Sequence, residues 1–211
     1  PVTSRRHFFR MALLAGVTAG GWARHVRAAV GDTPPRLQFS PARAFQPWQN
    51  ELRRRLTDLL AIPARRDTPL DVVVEADRGT EKYAMSRIRF TAEPGEIVPG
   101  YLLRPKGATA PLPVMICLQG HSPGMHISIG QARNEREQKS IEGGRDLALQ
   151  AVERGWAALV IEQRGFGERT VKGASCNDAA LRALHLGRPL TGQRVFDVMR
   201  AIDFIATQPD L

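Results

Sequence analysis

Two short, unbroken apolar runs set the pattern of this chain. Val114-Met115-Ile116-Cys117-Leu118 is one, the run over 156–161 is the other, and each stops at a polar, glycine-containing turn. Runs of this length without alternation predict strands buried on both faces, as in a parallel sheet. Between them, 144–154 puts Leu147, Ala148, Ala151 and Val152 on one helical face, with Gly155 as a C-terminal stop. A second helix is predicted over 191–207, where Val195, Val198, Met199, Ile202, Ile205 and Ala206 repeat at i, i+3, i+4 and i+7. Strand, helix, strand, helix in this order predicts an α/β fold, a mostly parallel sheet with crossover helices.

Upstream the pattern is looser. Residues 47–60 predict a helix with Trp48, Leu52, Leu56, Leu59 and Leu60 along one face, packed on a surface of the domain, with Pro47 and Pro63 as its punctuation. Three strands follow. The stretch 70–75 is β-branched, 85–91 alternates, and 97–104 contains Pro99-Gly100, which predicts an edge strand or a bulge. The polar segment 122–142 is long for a structureless connection and is expected to cover a site. A second polar loop is expected up to about Pro189.

Composition alters this picture mainly at the amino terminus. The chain has 211 residues, 43% of them hydrophobic, which suits one globular domain. The formal charge is +9, yet Arg5, Arg6, Arg10, Arg24 and Arg27 all precede the first acid, Asp32. Beyond residue 29 there are 25 basic and 21 acidic residues, a net of +4, without a basic cluster interleaved with aromatics. A nucleic-acid partner is therefore not expected. Ser4-Arg5-Arg6-His7-Phe8-Phe9-Arg10 resembles the twin-arginine export motif. The mildly apolar stretch 11–23 is shorter than the ~20 residues a membrane span needs, and Val26-Arg27-Ala28-Ala29 offers a cleavage site. The expected organisation is a signal peptide over 1–29, a linker over 30–46 and a folded domain over 47–211. The mature protein is then periplasmic or secreted, without a stable membrane anchor. Cys117 and Cys176 are expected to be free thiols, since their spacing builds no disulfide framework.

Candidate chemistry gathers behind the first apolar run, at Gln119-Gly120-His121-Ser122. Ligands of open α/β sheets bind at the carboxyl ends of the strands. Gly120-His121-Ser122-Pro123-Gly124 also fits G-x-S-x-G, the pattern of a nucleophile elbow. Such an elbow needs a helix directly after the serine and a backbone N–H on the next residue, and proline has none. Ser122 is accordingly not expected to be the nucleophile. His121 and His126 make a poor metal pair without further ligands nearby, so no metal is expected. His185 reads as a loop histidine, Arg164 as a turn-stabilising group, and Asp197 and Asp203 as surface partners of Arg194 and Arg200.

A family resemblance rests on several of these motifs together. Val98-Pro99-Gly100-Tyr101-Leu102-Leu103-Arg104-Pro105-Lys106-Gly107, the strand ending in Gln119-Gly120-His121, and Gln163-Arg164-Gly165-Phe166-Gly167-Glu168-Arg169 resemble α/β-hydrolases. Within these, the match is to the acetyl-xylan-esterase-like and dienelactone-hydrolase-like branch, and Leu186-Gly187-Arg188-Pro189-Leu190-Thr191-Gly192 belongs to the same likeness. The resemblance implies the N-terminal part of an α/β-hydrolase fold, ending before the nucleophile strand, with the Ser, acid and His of the triad beyond residue 211. It also implies that the backbone N–H of His121 is one oxyanion-hole donor. The family usually has His-Gly where this chain has Gln119-Gly120. The implied activity is that of a serine hydrolase cleaving carboxylic esters of small molecules or carbohydrates, without a cofactor. A prolyl-oligopeptidase-type peptidase and a non-catalytic exported binding domain are the alternatives.

Overall fold

A computed structural model of the protein describes residues 44–64, 66–109 and 111–211. The twin-arginine motif and the proposed cleavage site lie outside the described residues. The chain divides into two compact units, residues 1–55 and 56–211. Helix α1, Phe45–Leu59, forms where the apolar spacing predicts it, although none of its residues is buried.

The second unit is built on a five-stranded sheet. Its strands are β1 (Val73–Gly79), β2 (Tyr83–Glu93), β3 (Glu96–Pro105), β4 (Val114–Cys117) and β5 (Ala157–Ile161), in the spatial order β1-β2-β3-β5-β4. The first three strands form an antiparallel meander, because a two-residue turn at Pro94-Gly95 leaves β2 and β3 no way to pair except back to back. β3 pairs antiparallel with β5, and β4 and β5 form the parallel pair that the two apolar runs predict. The chain between these two strands carries helix α2 (Glu135–Ser140) and helix α3 (Leu147–Glu153). Helices α4 (Cys176–His185) and α5 (Leu190–Ala206) follow β5.

The side-chain period of two sorts β5 into both faces of the core. Ala158 and Val160 join Met85, Leu103, Cys117, Met125 and the Ala148, Ala151 and Val152 face of α3. Leu159 and Ile161 join Ile88, Phe90, Val98, Leu102 and the Ala201 and Phe204 face of α5, where Phe90 and Phe204 stack at 5.8 Å. Helices on both faces of a sheet make a layered α/β unit.

Three expectations need correction. The first apolar run is not buried on both faces. Among the described residues β4 is an outer strand bonded only to β5, and Met115 and Leu118 are 38% and 40% exposed. A strand's faces are buried by the layers packed on them, and β5, with helices on both faces, is fully buried, whereas β4 lies at the margin of that cover. Second, Pro99-Gly100 makes neither an edge nor a bulge, because β3 is an internal strand. The Pro99 carbonyl accepts from Glu162 N at 2.9 Å, at the very end of the β3–β5 ladder, and the Glu162 carbonyl that a proline cannot serve accepts from Arg169 Nη1 at 3.3 Å instead. Gly100 allows close approach, since a Cβ there would lie 2.5 Å from the Val160 carbonyl oxygen. Third, the loop expected before Pro189 contains α4. Its capping box was readable in Ser175-x-x-Asp178, where the Ser175 hydroxyl accepts from Asp178 N and the Asp178 carboxylate accepts from Ser175 N.

The contact at Gly100 gives a stability prediction. Gly100→Ala should lower the unfolding free energy by ~1–3 kcal/mol, as overpacking does, in a urea titration. Gly143→Ala, where a Cβ meets nothing within 4 Å, should change it by less than about 0.5 kcal/mol. Equal effects at the two positions would contradict the close β3–β5 approach.

Candidate active site

β4 and β5 end side by side, with Cys117 in register with Val160, and two loops leave their carboxyl ends together. The first loop is Gln119 to Gly124, the second Glu162 to Gly167. One buried side chain binds them. The Glu162 carboxylate, 1% exposed, accepts Gln119 Nε2 at 2.5 Å, Met125 N at 3.1 Å and Glu168 N at 3.3 Å. In return, Gln163 Nε2 donates to the Gln119 carbonyl. Both loops need glycine beside this carboxylate. A Cβ at Gly124 would lie 2.9 Å from Glu162 Oε2, and at Gly167, whose φ is +42°, only 1.9 Å away. Burial pushes the Glu162 carboxyl above its ordinary range, against the opposing pull of the Met125 and Glu168 N–H groups.

Beside this carboxylate lies an ionic network. Arg164, expected to stabilise the turn, does so while buried. It holds Asp197 through Nη2–Oδ1 at 2.8 Å and Nε–Oδ2 at 3.0 Å, and Glu93 at 2.8 Å. Arg169 reaches Asp197 at 2.6 Å, and Arg188 reaches Glu93 at 2.6 Å. Burial works against the Arg164 charge, but the paired Asp197 and Glu93 more than offset it and hold the pKa above the ordinary arginine value. The surface pairing expected of Asp197 is therefore wrong, because this carboxylate is 1% exposed and faces the turn after β5. Arg194, its supposed partner, donates instead to the Arg164 carbonyl at 2.6 Å and 2.9 Å. Asp203 does pair near the surface, with Arg200 at 2.9 Å and Arg66 at 2.6 Å.

His121 stands exposed on the first loop, its ring edge-on to Phe166 of the second loop at 5.5 Å. Arg194 covers the Phe166 ring at 4.3 Å. The His121 backbone N–H has no acceptor among the described residues. Ser122 Oγ lies 3.5 Å from the Gly124 carbonyl oxygen. After Ser122 the chain runs through Pro123 and an extended Gly124 into a single 3₁₀ turn, Met125–Ile129, so the helix an elbow requires is not there. His185 is the exposed last residue of α4.

The segment 122–142 is less of a polar cover than expected. All five residues of Met125–Ile129 are buried, and His126, weighed above as half of a metal pair, directs Nε2 to Glu137 Oε2 at 3.1 Å. Among the described residues no group of three or more His, Cys, Asp or Glu side chains is placed to hold a metal. The Arg133 N–H, donating at 2.7 Å, leads the causes that hold the Glu137 carboxyl below its usual range. This buried pair was missed, although Asn134-x-x-Glu137 carried a signal: the Asn134 side chain caps α2 by accepting from Glu137 N at 3.0 Å. The two cysteines are free, and burial pushes the Cys117 thiol up to about 11.

A βαβ pair flanked by an antiparallel meander, with a glycine-rich turn and an unpaired N–H at its carboxyl end, is the frame of an α/β-hydrolase. Residues 22–181 match the Abhydrolase family, and the chain belongs to that family. The fold is similar to that of a provisionally assigned acetyl xylan esterase from Bacteroides fragilis, at 20% identity and a TM-score of 0.74, covering 92% of this chain and 52% of that one. It is also similar to acetyl xylan esterase 1 from a Thermoanaerobacterium species, at 16% identity and a TM-score of 0.52, covering 77% and 46%. The chain thus spans about half the length of these relatives. No curated protein matches it.

The Glu162 knot predicts a pH dependence with a definite sign. A carboxyl whose pKa is raised by folding stabilises the native state fully below its unfolded value, here the ordinary 4.5, and loses that contribution as pH rises through the raised value. Denaturation midpoints measured from acidic to neutral pH should show a decline that Glu162→Gln flattens relative to the unsubstituted protein. Parallel profiles would mean that Glu162 is charged in the fold at little cost.

Proposed function

We propose that this chain is the amino-terminal part of an exported serine hydrolase that cleaves carboxylic esters, with an acetyl-ester substrate as the family likeness implies. The carrying observation is the unpaired His121 N–H at the carboxyl end of the β4–β5 pair, in a chain that belongs to the Abhydrolase family. As the ester carbonyl becomes tetrahedral, its oxygen gains negative charge, and a fixed N–H facing that oxygen lowers the barrier without having to reorganise. The Glu162 hydrogen bonds and the Phe166 contact fix the loop from which this donor projects.

The nucleophile, the acid and the histidine of the triad are supplied by sequence beyond residue 211. The span of about half the relatives' length supports this, as does the open, partly apolar edge of β4. Ser122 belongs to the oxyanion loop. The amino-terminal organisation is a twin-arginine signal over 1–29 and a linker over 30–46, ahead of the hydrolase domain. No helix among the described residues is long and apolar enough to cross a membrane.

Two experiments test these readings. In the full-length protein, His121→Pro removes the N–H and should lower kcat on 4-nitrophenyl acetate by ~10²–10³, while His121→Ala, which keeps it, should cost far less. Equal losses in both variants would remove the donor role, and a collapse to background on Ser122→Ala with the fold intact would make Ser122 the nucleophile. For export, replacing Arg5 and Arg6 together by Lys should leave the protein in the cytoplasm. An undiminished periplasmic yield would eliminate the twin-arginine route.

A further inference from the structure

A cavity of about 550 Å³ opens beside the oxyanion loop, lined by His121, Ser122, Ile127, Glu137, Arg136 and Arg145 among others. Its charges do not balance from within. The side chains of Arg136 and Arg145 make no hydrogen bond or ion pair among the described residues, whereas Arg87, Arg104, Arg164, Arg169 and Arg200 are all paired with carboxylates. The acids nearby keep their charge, but each is hydrogen-bonded to another partner. Glu137 holds His126 and the Arg133 N–H, Glu135 pairs with Lys139 at 2.9 Å, Glu142 accepts from Gln138 at 3.1 Å, and Asp146 accepts from Gln150 at 2.7 Å. Arg145 also lies against the turn itself, since its Nη1 is 4.0 Å from where a Cβ on Gly120 would stand.

From this arrangement we infer that the cavity is an anion subsite, and that the enzyme selects esters bearing a carboxylate close to the bond it cleaves. A guanidinium is permanently charged and offers a planar fork of donors that fits a carboxylate. Two of them on one concave wall, against the single carboxylate of Glu137, leave a net positive lining beside the His121 N–H. A carboxylate seated there places the rest of the substrate within reach of the oxyanion donor. The catalytic half of this inference rests on the ester-hydrolase reading, but the anion-binding half does not.

The test compares mono-4-nitrophenyl succinate with the similarly sized neutral 4-nitrophenyl butyrate on the full-length protein. The measured quantity is the ratio of their kcat/KM values. In the combined Arg136→Gln and Arg145→Gln variant this ratio should fall by about tenfold or more, the worth of one hydrogen bond to a charged group. Lys106→Gln, at the opposite end of β3, controls for overall charge and should leave the ratio unchanged. If both esters are cleaved and the ratio does not move in the double variant, the subsite is overturned while the ester reading stands. If neither ester is cleaved, 4-nitrophenyl acetate decides the ester reading, which fails if that ester is also left intact, and calorimetric binding of glucuronate against glucose decides the subsite. Preference for glucuronate that is lost in the double variant supports it, and absence of that preference overturns it.

Discussion

The carboxylate of Glu162 is the constraint on which the candidate site depends. It directly follows the fully buried strand β5 and gathers hydrogen bonds from Gln119, Met125 and Glu168, so both loops at the carboxyl end of the parallel pair are positioned by one group. A buried carboxylate is costly unless its lone pairs are filled, and here two backbone N–H groups and one side-chain amide fill them. The price of this economy is seen in the sequence. Gly124 and Gly167 leave room that no side chain at those positions could share with the carboxylate. The glycines of both loops thus serve Glu162 as much as any ligand.

The ionic network around Arg164 extends the same logic to the antiparallel half of the sheet. The hairpin between β2 and β3 brings Glu93 and Glu96 to the end of the sheet where β5 stops, because β3 runs antiparallel to β5. Arg164 and Arg169 bridge these acids to Asp197 on α5. Turn, hairpin and helix are therefore fastened together by charges that none of them could bury alone. Removing one member of such a cluster leaves its partner charged and dry, which costs more than the intact cluster contributes.

Much of the fold was legible because hydrophobic period reports burial directly. The run over 156–161 and the stripe along α5 identified β5 and the helix that covers it, and the βα order identified the α/β class. What failed was whatever depended on partners distant in sequence. Pro99-Gly100 reads as an interruption until β5 is known to approach it, and Asp197 reads as a surface acid until Arg164, 33 residues earlier, turns out to face it. His121 and the turn that carries it were visible from the glycine-rich sequence. Glu162, Glu137 and His126 were not, because a polar residue looks the same in sequence whether it is solvated or locked. The capping residues Ser175 and Asn134 were the local signals that went unread.

The distribution of paired and unpaired arginines separates scaffold from surface available to a ligand. Arg164 and Arg169, which support the turn after β5, are met by acids of the same chain, and such charges are spent on structure. At the cavity beside His121 the nearby acids are already taken up by other partners, and Arg136 and Arg145 face space large enough for a small molecule. Two exposed guanidiniums against the one Glu137 carboxylate leave that wall net positive, and the field falls off over a Debye length of about 8 Å at physiological salt. The oxyanion donor lies on the same wall. Its attraction for developing negative charge on a carbonyl oxygen and the arginines' attraction for a fixed negative charge on the substrate therefore act in one direction. Arg164 and Arg169 contribute little to this, since both meet the Asp197 carboxylate within hydrogen-bond distance.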